Sequence, residues 1–98
     1  MQIKQDPKFE EFFAGIKDEL TKGKITARLA RLSLGNPGEA KGVGEGVIEL
    51  VIDYGPGWRV YYVKVGLQFI VLLGGGSKKN QQSDIDAAKE RAREYRKK

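Results

Sequence analysis

At 98 residues the chain is long enough for one domain around a single core and too short for a second. It holds no cysteine and no histidine, which excludes disulfides, thiol nucleophiles, zinc sites built from those residues and imidazole acid–base chemistry. The net charge of +5 is uneven: residues 77–98 carry eight Lys/Arg against four Asp/Glu, while residues 1–45 carry eight against seven, and such a surplus suits a polyanionic partner better than an acidic small molecule.

The N-terminal MQIKQDPKFE lacks an apolar leader core, and no run approaches the length of a membrane span. A cytoplasmic protein without a membrane partner is the expectation. Residues 1–5 alternate about Ile3 and suit a short edge strand. Asp6 and Pro7 then start a helix: the Asp side chain accepts from the first free backbone N–H groups, and proline at the first helical position gives up no needed donor. Phe9, Phe12, Phe13, Ile16 and Leu20 form its apolar stripe. A break is expected at residues 21–23. Ile25, Leu29 and Leu32 mark a second helix that ends at Gly35, with Pro37 preventing its resumption. Arg28 and Arg31, three apart, share a side of it, where they either grip a phosphate or only solubilise the helix. Residues 36–46, with four glycines, a proline and Lys41, have the composition of a loop.

Residues 47–79 organise the rest. Ile48, Leu50, Ile52 and Tyr54 alternate with Glu49, Val51 and Asp53, the period of a strand. Gly55, Pro56 and Gly57 suit a type II turn with Pro56 and Gly57 at its centre. In the next strand Trp58, Val60 and Tyr62 make a buried face, and Arg59, Tyr61 and Val63 make the opposite one. Gly66 reverses the chain into an apolar run, residues 68–73, and Gly74, Gly75 and Gly76 read as a glycine-rich exit into a basic helix. On that helix Ile85, Ala88, Ala92 and Tyr95 form a narrow apolar stripe suited to loose docking, while Asp86/Lys89, Glu90/Arg93 and Glu94/Lys98 are spaced to pair and residues 96–98 to fray. The fold class is α+β: a helical hairpin packed as one layer on a small antiparallel sheet, with a C-terminal helix, the other sheet face staying partly open for substrate.

GGGSKK has the order of a phosphate-binding loop but not its spacing, since Ser77 precedes Lys78. Glu49 and Asp53 alone do not make a metal site, and no cofactor is expected. What remains is Arg59 and Tyr61 on one strand face, with Lys78 and Lys79 leaving the neighbouring strand. Arginine can hold a phosphate and stabilise charge growing on it. A lysine whose pKa is depressed by neighbouring cations can take the proton of a ribose 2′-hydroxyl, which is metal-free RNA cleavage. Tyr61 or Tyr54 can stack on a base. The structural alternative has Tyr61 and Tyr62 filling a sheet and Arg59 pairing with Glu49 or Asp53 across the hairpin.

The order of elements, together with LARLSLGNPGEAKGVGEGVIELVIDYGPGWRVYYV and IVLLGGGSKKNQQSDIDAAKE, resembles the RelE/ParE toxin superfamily. Within it the chain is most similar to the addiction-module killer proteins, the HigB-like or phage Gp49-like branch, and YGPGWRVYY and LLGGGSKKNQQ are the most specific stretches. The resemblance covers nearly all of residues 1–98 as a single toxin domain. It implies the toxin of a type II toxin–antitoxin pair, held by an antitoxin that often carries a helix-turn-helix domain. The implied activity is metal-independent endoribonuclease cleavage of mRNA, usually on the ribosome, which inhibits translation. It puts Arg59 where such nucleases contact the scissile phosphate, Lys78 and Lys79 in the basic segment after the last strand, and Gln81 near a second arginine of some members. Near Ile85 some relatives have a catalytic tyrosine and others use histidines, so here the general acid is unassigned, with Tyr61 or a lysine as the substitute. The expected catalytic residues are Arg59, Lys78, Lys79 and Tyr61, and the expected RNA-binding residues are Tyr54, Lys41 and Gln81. Superfamily members that poison DNA gyrase without cutting RNA define the alternative activity, and an inactive remnant that only binds antitoxin defines another.

Overall fold

The computed structural model describes residues 1–97. The elements run β1 (Gln2–Gln5), α1 (Pro7–Ala14), α2 (Glu19–Ser33), β2 (Ala40–Gly44), β3 (Val47–Ile52), β4 (Trp58–Val65), β5 (Phe69–Ser77), a 3-10 turn (Lys78–Asn80) and α3 (Gln81–Arg96). The five strands form one sheet in the order β1-β5-β4-β3-β2. β1 is parallel to β5 and every other pairing is antiparallel. The fold is α+β, and the sheet is mixed.

Alternation along β3, β4 and β5 sends side chains to two faces, and both faces are covered. Leu50, Ile52, Val60, Tyr62, Ile70 and Leu72 pack with Phe9 and Ile16 and with Ile25 and Leu32 of α2. On the other side Val47, Tyr61, Val63, Val71 and Leu73 pack under Ile85, Ala88 and Ala92 of α3. The expected single helical layer with a partly open sheet face is therefore corrected to helices, sheet, helix. Two short alanines in the α3 stripe let the helix lie close, so a narrow stripe still seals a second core.

The helical break lies at Gly15 to Asp18, not at residues 21–23. Asp18 accepts from the Leu20 N–H (3.2 Å) and from the Thr21 hydroxyl (2.7 Å), so it caps α2, which runs through Gly23. Leu20 falls in the first turn of α2 and is exposed instead of extending the α1 stripe. The stretch expected as a loop contains β2, an edge strand paired to β3. The β3–β4 turn is closed by the Gly57 N–H donating to Tyr54 O, which puts Gly55 and Pro56 at its centre; Gly55 has a positive φ (60°), and so does Gly57 (79°).

Gly74, Gly75 and Gly76 belong to β5 instead of ending it. A Cβ on Gly75 would run into the Phe12 ring of α1, and one on Gly76 into the Asp84 carboxylate of α3. Glycine is needed there because helices press on the strand from both sides.

α3 is fixed at its far end by Asp6, a fully buried carboxylate. Asp6 caps α1 by accepting from the Lys8 N–H (2.9 Å), and it also accepts from Arg91 Nη2 (2.7 Å) and Tyr95 Oη (2.5 Å). Arg93 holds Glu45 in the β2–β3 turn through two hydrogen bonds (2.9 and 2.7 Å), and Arg96 joins it. The helix is thus clamped at both margins, against the loose docking expected. Of the intrahelical pairs expected, Asp86 instead accepts from Gln82, Arg93 turns to Glu45 and Glu94 pairs with Lys97. The Glu94/Lys98 pair and the fraying of residue 98 lie outside the described residues.

Burial pushes the Asp6 carboxyl up, but hydrogen bonds from Arg91, Tyr95 and the Lys8 N–H outweigh it and hold it below its ordinary value. A depressed carboxyl contributes stability above its unfolded value and loses it as pH falls through the folded one. Asp6→Asn should lower the unfolding free energy by about 3 kcal/mol near neutral pH. In urea titrations the gap between variant and wild type should close below about pH 4; a gap that is absent at neutral pH, or that persists in acid, contradicts the clamp.

Candidate functional site

The β2–β3–β4 register builds the site before any side chain is considered. Lys41 pairs with Glu49, and Glu49 pairs with Tyr61, so three strands place Lys41, Glu49 and Tyr61 in one row on the α3 face. Arg59 is two residues before Tyr61 on the same face and pairs with Gly76 of β5. α3 then brings its first residue, Gln81, down onto the row.

Glu49 is fully buried in the middle of the sheet. An isolated carboxylate there would cost many kcal/mol, so its surroundings must be donors. Its Oε2 accepts from Gln81 Nε2 (2.8 Å) and Tyr61 Oη (3.1 Å). Lys41 Nζ lies 3.5 Å from Oε1, and Arg59 Nε lies 3.9 Å from Oε2, too far for a hydrogen bond. Arg59 Nη1 donates instead to Gly57 O (2.6 Å). Among the described residues three buried polar side-chain atoms lack a hydrogen-bond partner, and two of them belong to this cluster: Arg59 Nε, near Glu49 Oε2, and Glu49 Oε1, near Lys41 Nζ.

Four of the seven residues expected from the sequence, Arg59, Tyr61, Lys41 and Gln81, therefore meet at one carboxylate. Lys78 is exposed and borders a cleft of about 310 Å³ with Arg59, Gly57, Asp53 and Glu39. Lys79 is exposed beside it on the 3-10 turn. Tyr54 is elsewhere: it leans on the α1/α2 core, with Lys24 Nζ 4.9 Å from its ring centroid. Tyr61 cannot stack on a base as expected, because it is fully buried under α3. Burial, and then the charge and hydrogen bond of Glu49, push its phenol far up, so it stays a proton donor to Glu49.

Two residues were missed. Glu49 entered the sequence reading only as a partner for Arg59 and as half of an inadequate metal pair; its signal was a lone charge inside the apolar run VIELVI. Asp84 gave no signal. It is half-buried over Gly76, burial pushes its carboxyl up, and it borders a cavity of about 340 Å³ with Lys8, Gly75, Ala87 and Arg91. Among the described residues no group of three or more His, Cys, Asp or Glu side chains is placed to hold a metal ion, and no helix is long and apolar enough to cross a membrane.

Alkaline titration followed by ultraviolet difference absorbance should find Tyr61 un-ionised until the chain unfolds, with stability falling above about pH 10. Tyr61→Phe should cost about 1–2 kcal/mol, because Glu49 loses a donor it cannot replace with water. A Tyr61 that ionises in the folded chain with an ordinary midpoint contradicts the buried pair.

No protein-family model and no solved structure matches the chain. A chain of Haemophilus influenzae described as an uncharacterized protein is 42% identical over 94 residues, covering 96% of this chain and 95% of that one.

Proposed function

The chain belongs to one family with that Haemophilus influenzae protein, whose description carries no activity, and from the chemistry of the cluster we propose that it is the toxin of a type II toxin–antitoxin pair, an endoribonuclease that cuts mRNA. The observation that carries the reading is the Arg59 guanidinium, desolvated and only partly hydrogen-bonded, at a cleft shared with Lys78. A guanidinium in that state binds a phosphate diester more strongly than one in water, because the low surrounding dielectric strengthens each charge-assisted hydrogen bond. Resemblance to the RelE/ParE toxins in YGPGWRVYY and LLGGGSKKNQQ supports the same residues, and supports an antitoxin partner, a cytoplasmic location and action on the ribosome.

In this scheme Arg59 holds the scissile phosphate. The ribose 2′-oxygen attacks phosphorus, a Lys78 or Lys79 amine takes the 2′ proton, and the bond from phosphorus to the 5′-oxygen breaks. The products are a 2′,3′-cyclic phosphate and a 5′-hydroxyl, the 5′-oxygen taking up a proton from a lysine or from water. Arg59 and Lys78 stabilise the extra negative charge of the transition state. Glu49 is a positioning residue, since its carboxylate lies below Arg59 and Lys41 and is sealed from the cleft. Tyr61 and Gln81 hold Glu49 in turn.

Induction in cells without antitoxin should arrest growth and create new RNA 5′ ends inside translated frames. Arg59→Ala should lower cleavage by about 10²–10³-fold while the far-ultraviolet circular dichroism stays that of the wild type. Arrest without new ends would overturn the nuclease reading and point to gyrase, and no arrest would leave only antitoxin binding.

A further inference from the structure

α2 carries two stripes. Thr21, Ile25 and Leu32 are buried against the sheet. Beside them Lys24, Ala27, Arg28 and Arg31, at spacings of three, four and seven, line one helical face and face the β3–β4 turn. The middle arginine is not available to a ligand: Arg28 donates to the carbonyls of Val51 (2.5 Å), Pro37 (2.8 Å) and Glu39 (3.0 Å), where it closes the end of the β2–β3 pairing. Lys24 and Arg31 flank it, and both are exposed. Between them and the half-buried Tyr54 ring is a cavity of about 260 Å³, kept open by the small Ala27.

This cavity and the Arg59 cleft are both lined by Ile52 and Asp53. The two hollows are therefore neighbours at the end of β3, with Ile52 and Asp53 bordering both: Lys78 and Arg59 line one, and Tyr54, Lys24 and Arg31 line the other. Cations in both hollows, the Tyr54 ring and the carboxylates of Asp53 and Glu39 match a polynucleotide strand: phosphates on the cations, an unpaired base on the ring once Lys24, now 4.9 Å from its centroid, turns to a phosphate, and amino or 2′-hydroxyl donors on the carboxylates. A duplex would not present an unpaired base to Tyr54. We propose that Lys24, Arg31 and Tyr54 form a second nucleotide subsite, which holds the single-stranded RNA flanking the bond at Arg59. The direction and reach of the strand rest on the nuclease reading of Arg59; the presence of the subsite does not.

The test uses single-stranded RNA with 2′-O-methyl riboses, which cannot be cut, as a labelled trinucleotide and a labelled nonanucleotide, with binding followed by fluorescence anisotropy. Wild type should bind the longer strand at least about tenfold more tightly, because only it reaches both hollows. The double variant Lys24→Ala with Arg31→Ala should lose most of that gain, and the slope of log K against log salt should fall by about 1.4, the share of two single-strand phosphate contacts. Both side chains are exposed, so the fold should survive, which circular dichroism checks. A double variant that keeps the nonanucleotide affinity and the salt slope overturns the subsite. Arg59→Ala should weaken the trinucleotide; if it does not, while the double variant still weakens the longer strand, the subsite stands and the reading of Arg59 falls.

Discussion

A carboxylate buried in the middle of a sheet sets the terms for everything around it. Glu49 has no exposed surface, so the free energy of its charge depends on four residues brought from three other elements: Lys41 from β2, Arg59 and Tyr61 from β4, and Gln81 from α3. None of these is close to Glu49 in sequence. The site is consequently complete only when β2 is paired, the β3–β4 register is correct and the first turn of α3 is seated. A one-residue slip of β4 would send Tyr61 and Arg59 into the α1/α2 core and leave Glu49 uncompensated, so the ionic cluster enforces the register as well as using it.

The seating of α3 depends on contacts far from the cluster. Asp6 fixes Arg91 and Tyr95, and Glu45 fixes Arg93, so the last turns of the helix are pinned at the β1 and β2 margins of the sheet while its first residue caps Glu49. Gly75 and Gly76 let Phe12 and Asp84 approach β5 from opposite sides, which brings both helical layers close enough for this to work. Arg59 follows from the same arrangement. With α3 overhead and Glu49 beside it, the guanidinium is largely stripped of water yet not fully hydrogen-bonded, its unpartnered Nε lying 3.9 Å from Glu49 Oε2, while the residue also lines the cleft that Lys78 borders.

Much of this was legible in the sequence where the local signal was strong. The caps at Asp6 and Pro7, the alternation of β3 and β4, and the α3 stripe of Ile85, Ala88 and Ala92 all appear in the structure. β2 was not legible because AKGVG has neither alternation nor β-branched density, and it pairs as an edge strand only because β3 offers a partner. The glycines of β5 read as an exit because glycine is a poor strand former in isolation; the approach of Phe12 and Asp84 that requires them is a tertiary fact. The same limit applies to Tyr61. Its place on a face was readable, but whether that face is open depends on α3, and a helix with only two alanines, an isoleucine and a tyrosine to bury gives little warning that it seals a core. Gln81 was expected near the site through resemblance to toxins and Lys41 was expected as an RNA-binding cation of the glycine-rich stretch before β3, whereas the carboxylate that gathers them stayed hidden as one acidic residue in an apolar strand.

End-group analysis of RNA is the most direct measurement: purified protein is incubated with translating ribosomes, and the new termini are characterised chemically. Fragments ending in 2′,3′-cyclic phosphate and beginning with 5′-hydroxyl are the expected result, present with the wild-type chain and absent with Arg59→Ala. Intact RNA, or fragments that carry a 5′-phosphate, would contradict the assignment of the Glu49–Arg59 cluster to phosphate binding and 2′-hydroxyl attack.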